Sequence, residues 1–154
     1  MTGRKSRVAT MALAVTLTLA LGGVSNLHAQ PAPSFTHTLS SGLFSLPANG
    51  VSVDWAVSNS SAVNRTVRVT VYRHGTGVPR AVVAPGALTI TLAPTETTHN
   101  ANGVGTVFQR GFYYEVVVET NSLRVLPIVH VWEDTGNTVI PGTLIPSGSW
   151  VRLR

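Results

Sequence analysis

Residues 51–58 read VSVDWAVS, with Val51, Val53, Trp55 and Val57 on one parity and Ser52, Asp54 and Ser58 on the other. Successive side chains of a strand point to opposite faces, so this run predicts a strand with one face in a core and one in water. After the turn-rich SNSSAVN, residues 66–72 repeat the rule, with Val67, Val69 and Val71 inward and Thr66, Arg68, Thr70 and Tyr72 outward. Two such runs joined by a short polar link predict an antiparallel pair. A Gly-Thr-Gly turn at 75–77 and a short segment over 81–84 come next. After the Pro85-Gly86 break, 87–92 places Leu88, Ile90 and Leu92 inward and stops at Pro94.

The stretch TETTHNANGVG, 95–105, lacks this alternation and reads as part of a connection of about seventeen residues. Alternation returns in FYYEVVVE, 112–119, with Phe112, Tyr114, Val116 and Val118 against Tyr113, Glu115, Val117 and Glu119. The run LRVLPIVHVWE, 123–133, is apolar on both faces. That pattern suits a covered strand, whereas Pro127 lacks the amide proton of a ladder and suits an edge or a bulge; both readings stay open. Residues 134–137 form a turn, and the tail to Arg154 is interrupted by Pro141-Gly142 and Pro146 before SWVRLR. With a first strand in 35–46, the count is seven to nine short strands and no helix. The fold class expected is all-β, a single antiparallel β-sandwich of immunoglobulin-like type.

The first 29 residues differ in kind. Arg4, Lys5 and Arg7 precede an uncharged stretch over 8–24, and Leu27-His28-Ala29 offers a cleavage point. This is the layout of a secretory signal peptide, too short and too interrupted to stay as an anchor. The organisation expected is a signal over 1–29, an N-terminal segment with the first strand over 30–49, and the sandwich over 50–154. Cleavage removes three of the eleven cations and leaves eight arginines against six carboxylates. Those arginines are scattered, which argues against a nucleic-acid surface. An exported chain without cysteine uses no disulfide staple and looks bacterial. Secretion or display at the cell surface follows, with no membrane span after cleavage.

The quoted runs VSVDWAVSNSSAVNRTVRVTVYRHG, GALTITLAPTETT and GFYYEVVVE together resemble bacterial cell-adhesion-related, fibronectin-III-like sandwich modules over about residues 50–133. There a strand ends in an Asn-Ser turn, a V-x-V-x-V strand follows, and a G-x-Y-x-V-x-V strand comes near the end. The resemblance implies an extracellular module used for adhesion, spacing or recognition, and carries over no catalytic residue. The extension after Asp134 departs from it.

Chemistry changes this picture little. After the leader there is no lysine and no cysteine, which excludes a thiol nucleophile and a Schiff base. No G-x-S-x-G is present to hold a serine nucleophile. His37, His74, His99 and His130 are widely separated, and three residues along one strand put His130 and Glu133 on opposite faces. The reading is a non-catalytic module with no cofactor and no metal. Its partner would be a protein or a cell-envelope glycan, met through loops or an edge strand, with self-association at that edge a further expectation. Candidate recognition residues are His99, Asn100 and Asn102 in the long connection, and Trp150, Arg152 and Arg154 in the tail. A small hydrolase or metal-dependent enzyme built on the loops is the alternative, and a subunit of a surface layer or coat is another.

Overall fold

Period-two alternation becomes a strand wherever the sequence shows it, and the pairing of those strands makes two antiparallel sheets. The computed structural model describes residues 32–83, 85–103, 108–133 and 138–153. The expected signal peptide, the turn at 134–137 and Arg154 fall outside them.

Among the described residues the strands are β1 His37–Ser40, β2 Phe44–Ser45, β3 Gly50–Asn59, β4 Arg65–Gly75, β5 Val78–Val82, β6 Leu88–Leu92, β7 Thr97–Gly103, β8 Tyr113–Thr120, β9 Val125–Glu133 and β10 Val151–Arg152. The expected first strand is broken into β1 and β2 by Gly42 at φ +69°, a conformation glycine adopts without strain. The larger sheet runs β10-β1-β8-β4-β5, with β2 on β8 and β6 on β4. The smaller one runs β7-β3-β9. Their inward faces meet in one core, in which Val53, Trp55, Val57, Val129 and Val131 oppose Val67, Val69, Tyr114, Val116 and Val118. The inward parities expected for β3, β4, β6 and β8 are those observed.

The expected pairing of 51–58 with 66–72 is not formed. β3 pairs β7 and β9, while β4 pairs β8, β5 and β6, so the chain changes sheet between them. Asn59 sits at the crossing, 1% exposed. Its Nδ2 donates to the carbonyls of Val63, Leu92 and Ala93 at 2.9, 3.1 and 2.9 Å. Its Oδ1 accepts from the Ser61 amide and hydroxyl at 3.0 and 2.7 Å. A buried amide with both ends satisfied holds a corner in place.

The second correction concerns 95–105. The connection from β6 ends after 93–96, where Glu96 Oε2 accepts the Ala93 amide at 2.6 Å and Thr95 stands at φ +61°. From Thr97 onward the chain is extended and pairs with β3 in register, Ser58↔Thr97 through Ser52↔Gly103. Asn100 and Asn102 therefore lie in a strand rather than turning a loop. They lack apolar alternation because β7 is the polar rim of the smaller sheet.

β9 meets both expectations raised by its sequence. The Val129 amide donates to the Ile145 carbonyl, away from β3, and ladder direction repeats every two residues. Pro127 thus also turns its nitrogen away from β3, where no bond is lost. Short bridges of Val129 with Ile145 and Trp132 with Val139 cover that side.

Candidate functional site

The outward face of the smaller sheet carries the side chains that sequence reasoning left apart. In register, β3 sets Asp54 opposite His130 of β9, and Ala56 opposite His99 of β7. Asp54 is the middle of the group: His99 Nδ1 lies 3.7 Å from its Oδ1 and His130 Nε2 lies 3.5 Å from its Oδ2. The Asp54 and His130 side chains are 11% and 12% exposed, whereas that of His99 is 70% exposed. Asp54 Oδ1 and His130 Nε2 are buried and have no hydrogen-bond partner. The His130 ring also stands edge-on to Trp132, with centroids 4.6 Å apart.

A second histidine–carboxylate group, on the outward face of the larger sheet, is closed. Glu115 Oε1 accepts the Ser40 hydroxyl at 2.6 Å. Its Oε2 lies 3.1 Å from His74 Nε2 and 2.9 Å from an Arg80 nitrogen. Arg80 in turn stacks on the Tyr72 ring, 3.4 Å from its centroid. Further along, Glu119 makes a cross-strand pair with Arg68, through two short bonds. These pairs consume their own hydrogen-bonding capacity, and surface pairs of this kind add little to stability.

Burial lowers the pKa of His130 from the ordinary histidine value, and the Asp54 charge opposes that shift without cancelling it. The folded chain therefore binds fewer protons here than the unfolded chain as pH falls below the ordinary histidine value. Stability should be full above about pH 6.5 and should decline below it, levelling once the folded-state value is reached. Asp54 is the charged group facing the ring. Urea midpoints measured in chelator between pH 7 and pH 5 should fall for the parent chain and fall less for His130→Gln. An equal slope in both would remove His130 as the cause.

The structure separates the sequence candidates into two places. His99 and Asn100 are on β7, and the side chain of Asn102 is outside the described set. Asn100 lies opposite Trp55 on the inward parity and is half-buried. Trp150 and Arg152 are at the β10 end of the other sheet. Trp150 is not an exposed anchor: it packs against the core and donates its indole N–H to the Ile145 carbonyl at 3.3 Å. An Arg152 nitrogen lies 3.0 Å from His37 Nδ1. Asp54 and His130 were missed as site residues. The outward parity of Asp54 was legible, that of His130 on a strand apolar on both faces was not, and their meeting depends on register.

A cavity of about 590 Å³ opens between β2, the start of β8 and residues 141–145, lined mainly by Leu43, Phe44, Pro47, Tyr113, Pro141 and Ile145. It has hydroxyls but no charged side chain, so it has little with which to orient a polar ligand.

The fold and these clusters define an all-β, antiparallel, sandwich-like protein. No family model matches the chain, and no curated protein matches it. Among solved structures it is similar in part to the crystal structure of Thermotoga maritima 1070, with 11% identity and a TM-score of 0.43, covering 68% of this chain and 86% of that one.

Proposed function

We propose that this chain is an exported, non-catalytic sandwich module that binds an extended protein segment by adding it as a strand to the edge of β7. The supporting observation is the direction of the β7 backbone. The Asn59 amide donates to the Glu96 carbonyl, which sets the phase of the β3–β7 ladder. With a period of two, Thr98, Asn100 and Asn102 bond to β3, while Thr97, His99 and Ala101 turn their amides and carbonyls outward. Among the described residues no strand takes that edge. It carries none of the lysine, proline or bulge that commonly blocks an edge strand. Main-chain pairing of this kind is a common mode of peptide recognition.

An immunoglobulin-type relationship gives this reading its architecture. The pairing of β3 with β7 and of β4 with β8 matches the B–E and C–F neighbours of such sandwiches. Tyr114, near the start of β8, hydrogen-bonds back to the Gln109 backbone as a tyrosine corner does. The outer strands depart from the pattern, since β1 lies beside β8 and β9 beside β3.

Ala101→Pro tests the edge. It removes an outward amide without removing a ladder bond, so the fold should survive while capture of extended envelope peptides on an array is lost. Capture that persists undiminished in the variant, or binding of envelope glycan alone, would reject strand addition. A coat-subunit reading uses the same edge with a second copy, and would appear as concentration-dependent light scattering that the same proline abolishes.

A further inference from the structure

The contrast between the two histidine–carboxylate groups is informative. At Glu115 the partners close to 2.6–3.1 Å, the distances of hydrogen bonds. At Asp54 both imidazoles stop at 3.5 and 3.7 Å, one facing each carboxylate oxygen. That is too long for a hydrogen bond, and a bridging water would need the atoms well over 4 Å apart. Yet Asp54 Oδ1 and His130 Nε2 are buried without hydrogen-bond partners, a costly arrangement for polar atoms in a sheet that is otherwise well bonded.

One chemistry accounts for such a gap. Nitrogen and oxygen donors bound to zinc lie about 2.0–2.2 Å from it, so two donors at a tetrahedral angle stand about 3.4 Å apart. Both separations at Asp54 are close to that value. As they stand, no three histidine, aspartate or glutamate side chains among the described residues make a finished metal site. Asp54 is in the middle, with His99 and His130 on opposite sides. His99 is on the edge strand β7 and mostly exposed, and closing the set requires its ring to turn toward His130.

We propose that Asp54, His99 and His130 bind one divalent transition metal of the zinc or copper(II) class. Two imidazoles and one carboxylate suit those ions, whereas calcium and magnesium prefer all-oxygen sets. Three protein donors leave a position open on the outward face of the β7-β3-β9 sheet. The site spans all three strands, so occupancy would also tie the edge strand β7 to β9 across β3. This inference is independent of strand addition at the β7 edge.

The test is a titration of the purified, chelator-stripped chain with zinc and with copper(II), read by calorimetry and by metal content after dialysis. One equivalent should bind, with calcium and magnesium leaving the chain unloaded. Asp54→Asn and His130→Gln should abolish uptake. Because those positions are buried, the exposed His99→Ala is the deciding variant. It should keep the parent unfolding midpoint in chelator and weaken binding by at least about 10-fold, the effect that loss of even an outer partner can produce. His74→Ala should bind as the parent does. The proposal is overturned by absence of uptake in the parent chain, by uptake that His99→Ala leaves unchanged, or by an equal loss in His74→Ala.

Discussion

Replacing Asn59 by alanine should lower stability by about 3–4 kcal/mol, an effect well above that of an ordinary substitution. The side chain is buried and serves three carbonyls and two donors of the Ser61 residue. Alanine removes the donor shared by the three carbonyls and the acceptor of the Ser61 amide and hydroxyl; the Val63 carbonyl keeps the Ser61 hydroxyl and the Ala93 carbonyl keeps the Glu96 amide, and each buried group left unpaired costs about 1–3 kcal/mol. Neither a cavity nor lost apolar area is needed to reach that figure. In a domain of this size the melting temperature should fall by about 10–15 °C. Asn59→Asp should be worse at neutral pH, because a carboxylate would face the carbonyls of Val63, Leu92 and Ala93, which accept hydrogen bonds but donate none. Ser60→Ala is the control. Its hydroxyl donates to the Arg124 carbonyl in an exposed position, and its loss should cost less than about 1 kcal/mol. Urea unfolding of the three variants would check the order, and an Asn59→Ala effect no larger than that of Ser60→Ala would refute it. The position also matters beyond stability. Leu92 and Ala93 are where the chain leaves β6 of one sheet on its way to β7 of the other, so Asn59 helps to set where the β7 edge lies.

Tyr114→Ala should cost about 3–5 kcal/mol, the range for removing a large buried aromatic ring. Tyr114 is fully buried, edge-on to Phe108 at 4.7 Å and 6.2 Å from Phe44. Its hydroxyl donates to the Gln109 carbonyl at 3.0 Å and accepts from the Gln109 amide. Tyr114→Phe keeps the ring and loses only those bonds, so about 1–2 kcal/mol is expected. The difference between the two variants separates packing from the backbone clamp. If phenylalanine cost as much as alanine, the hydroxyl and not the ring would hold this corner. Unchanged urea m-values would confirm that both act on the native state.

Strand positions were legible because alternation directly reflects a sheet with one face in a core. β3, β4, β6 and β8 fall where their valines, leucines and aromatics predict. β7 was not legible. Its inward positions include Thr98 and Asn100, since the rim of the smaller sheet lies at the margin of the core, and a polar strand resembles a loop in sequence. Trp150 was ambiguous for a related reason: alternation with arginines places a ring on one side of a strand without saying what covers that side.

The site was illegible in a different way. Of Asp54, His99 and His130 only Asp54 had an outward parity in the sequence, and 45 and 31 residues separate the three along the chain. They meet because β3 lies between β7 and β9 in one particular register. A shift of one residue would send any of the three to the opposite face.

Composition and periodicity alone therefore establish an all-β chain with inward parities assigned and no thiol or lysine chemistry after residue 29. Such local information follows from the two-residue repeat of the backbone, which every strand obeys wherever it is placed. Which sheet each strand joins was decided only in three dimensions. Both sheets turn their apolar faces to the same core, so β3 and β4 satisfy the same pattern from opposite sides, and burial of one asparagine directs the chain across. Register then placed two histidines beside one buried carboxylate and, among the described residues, left the backbone of β7 open.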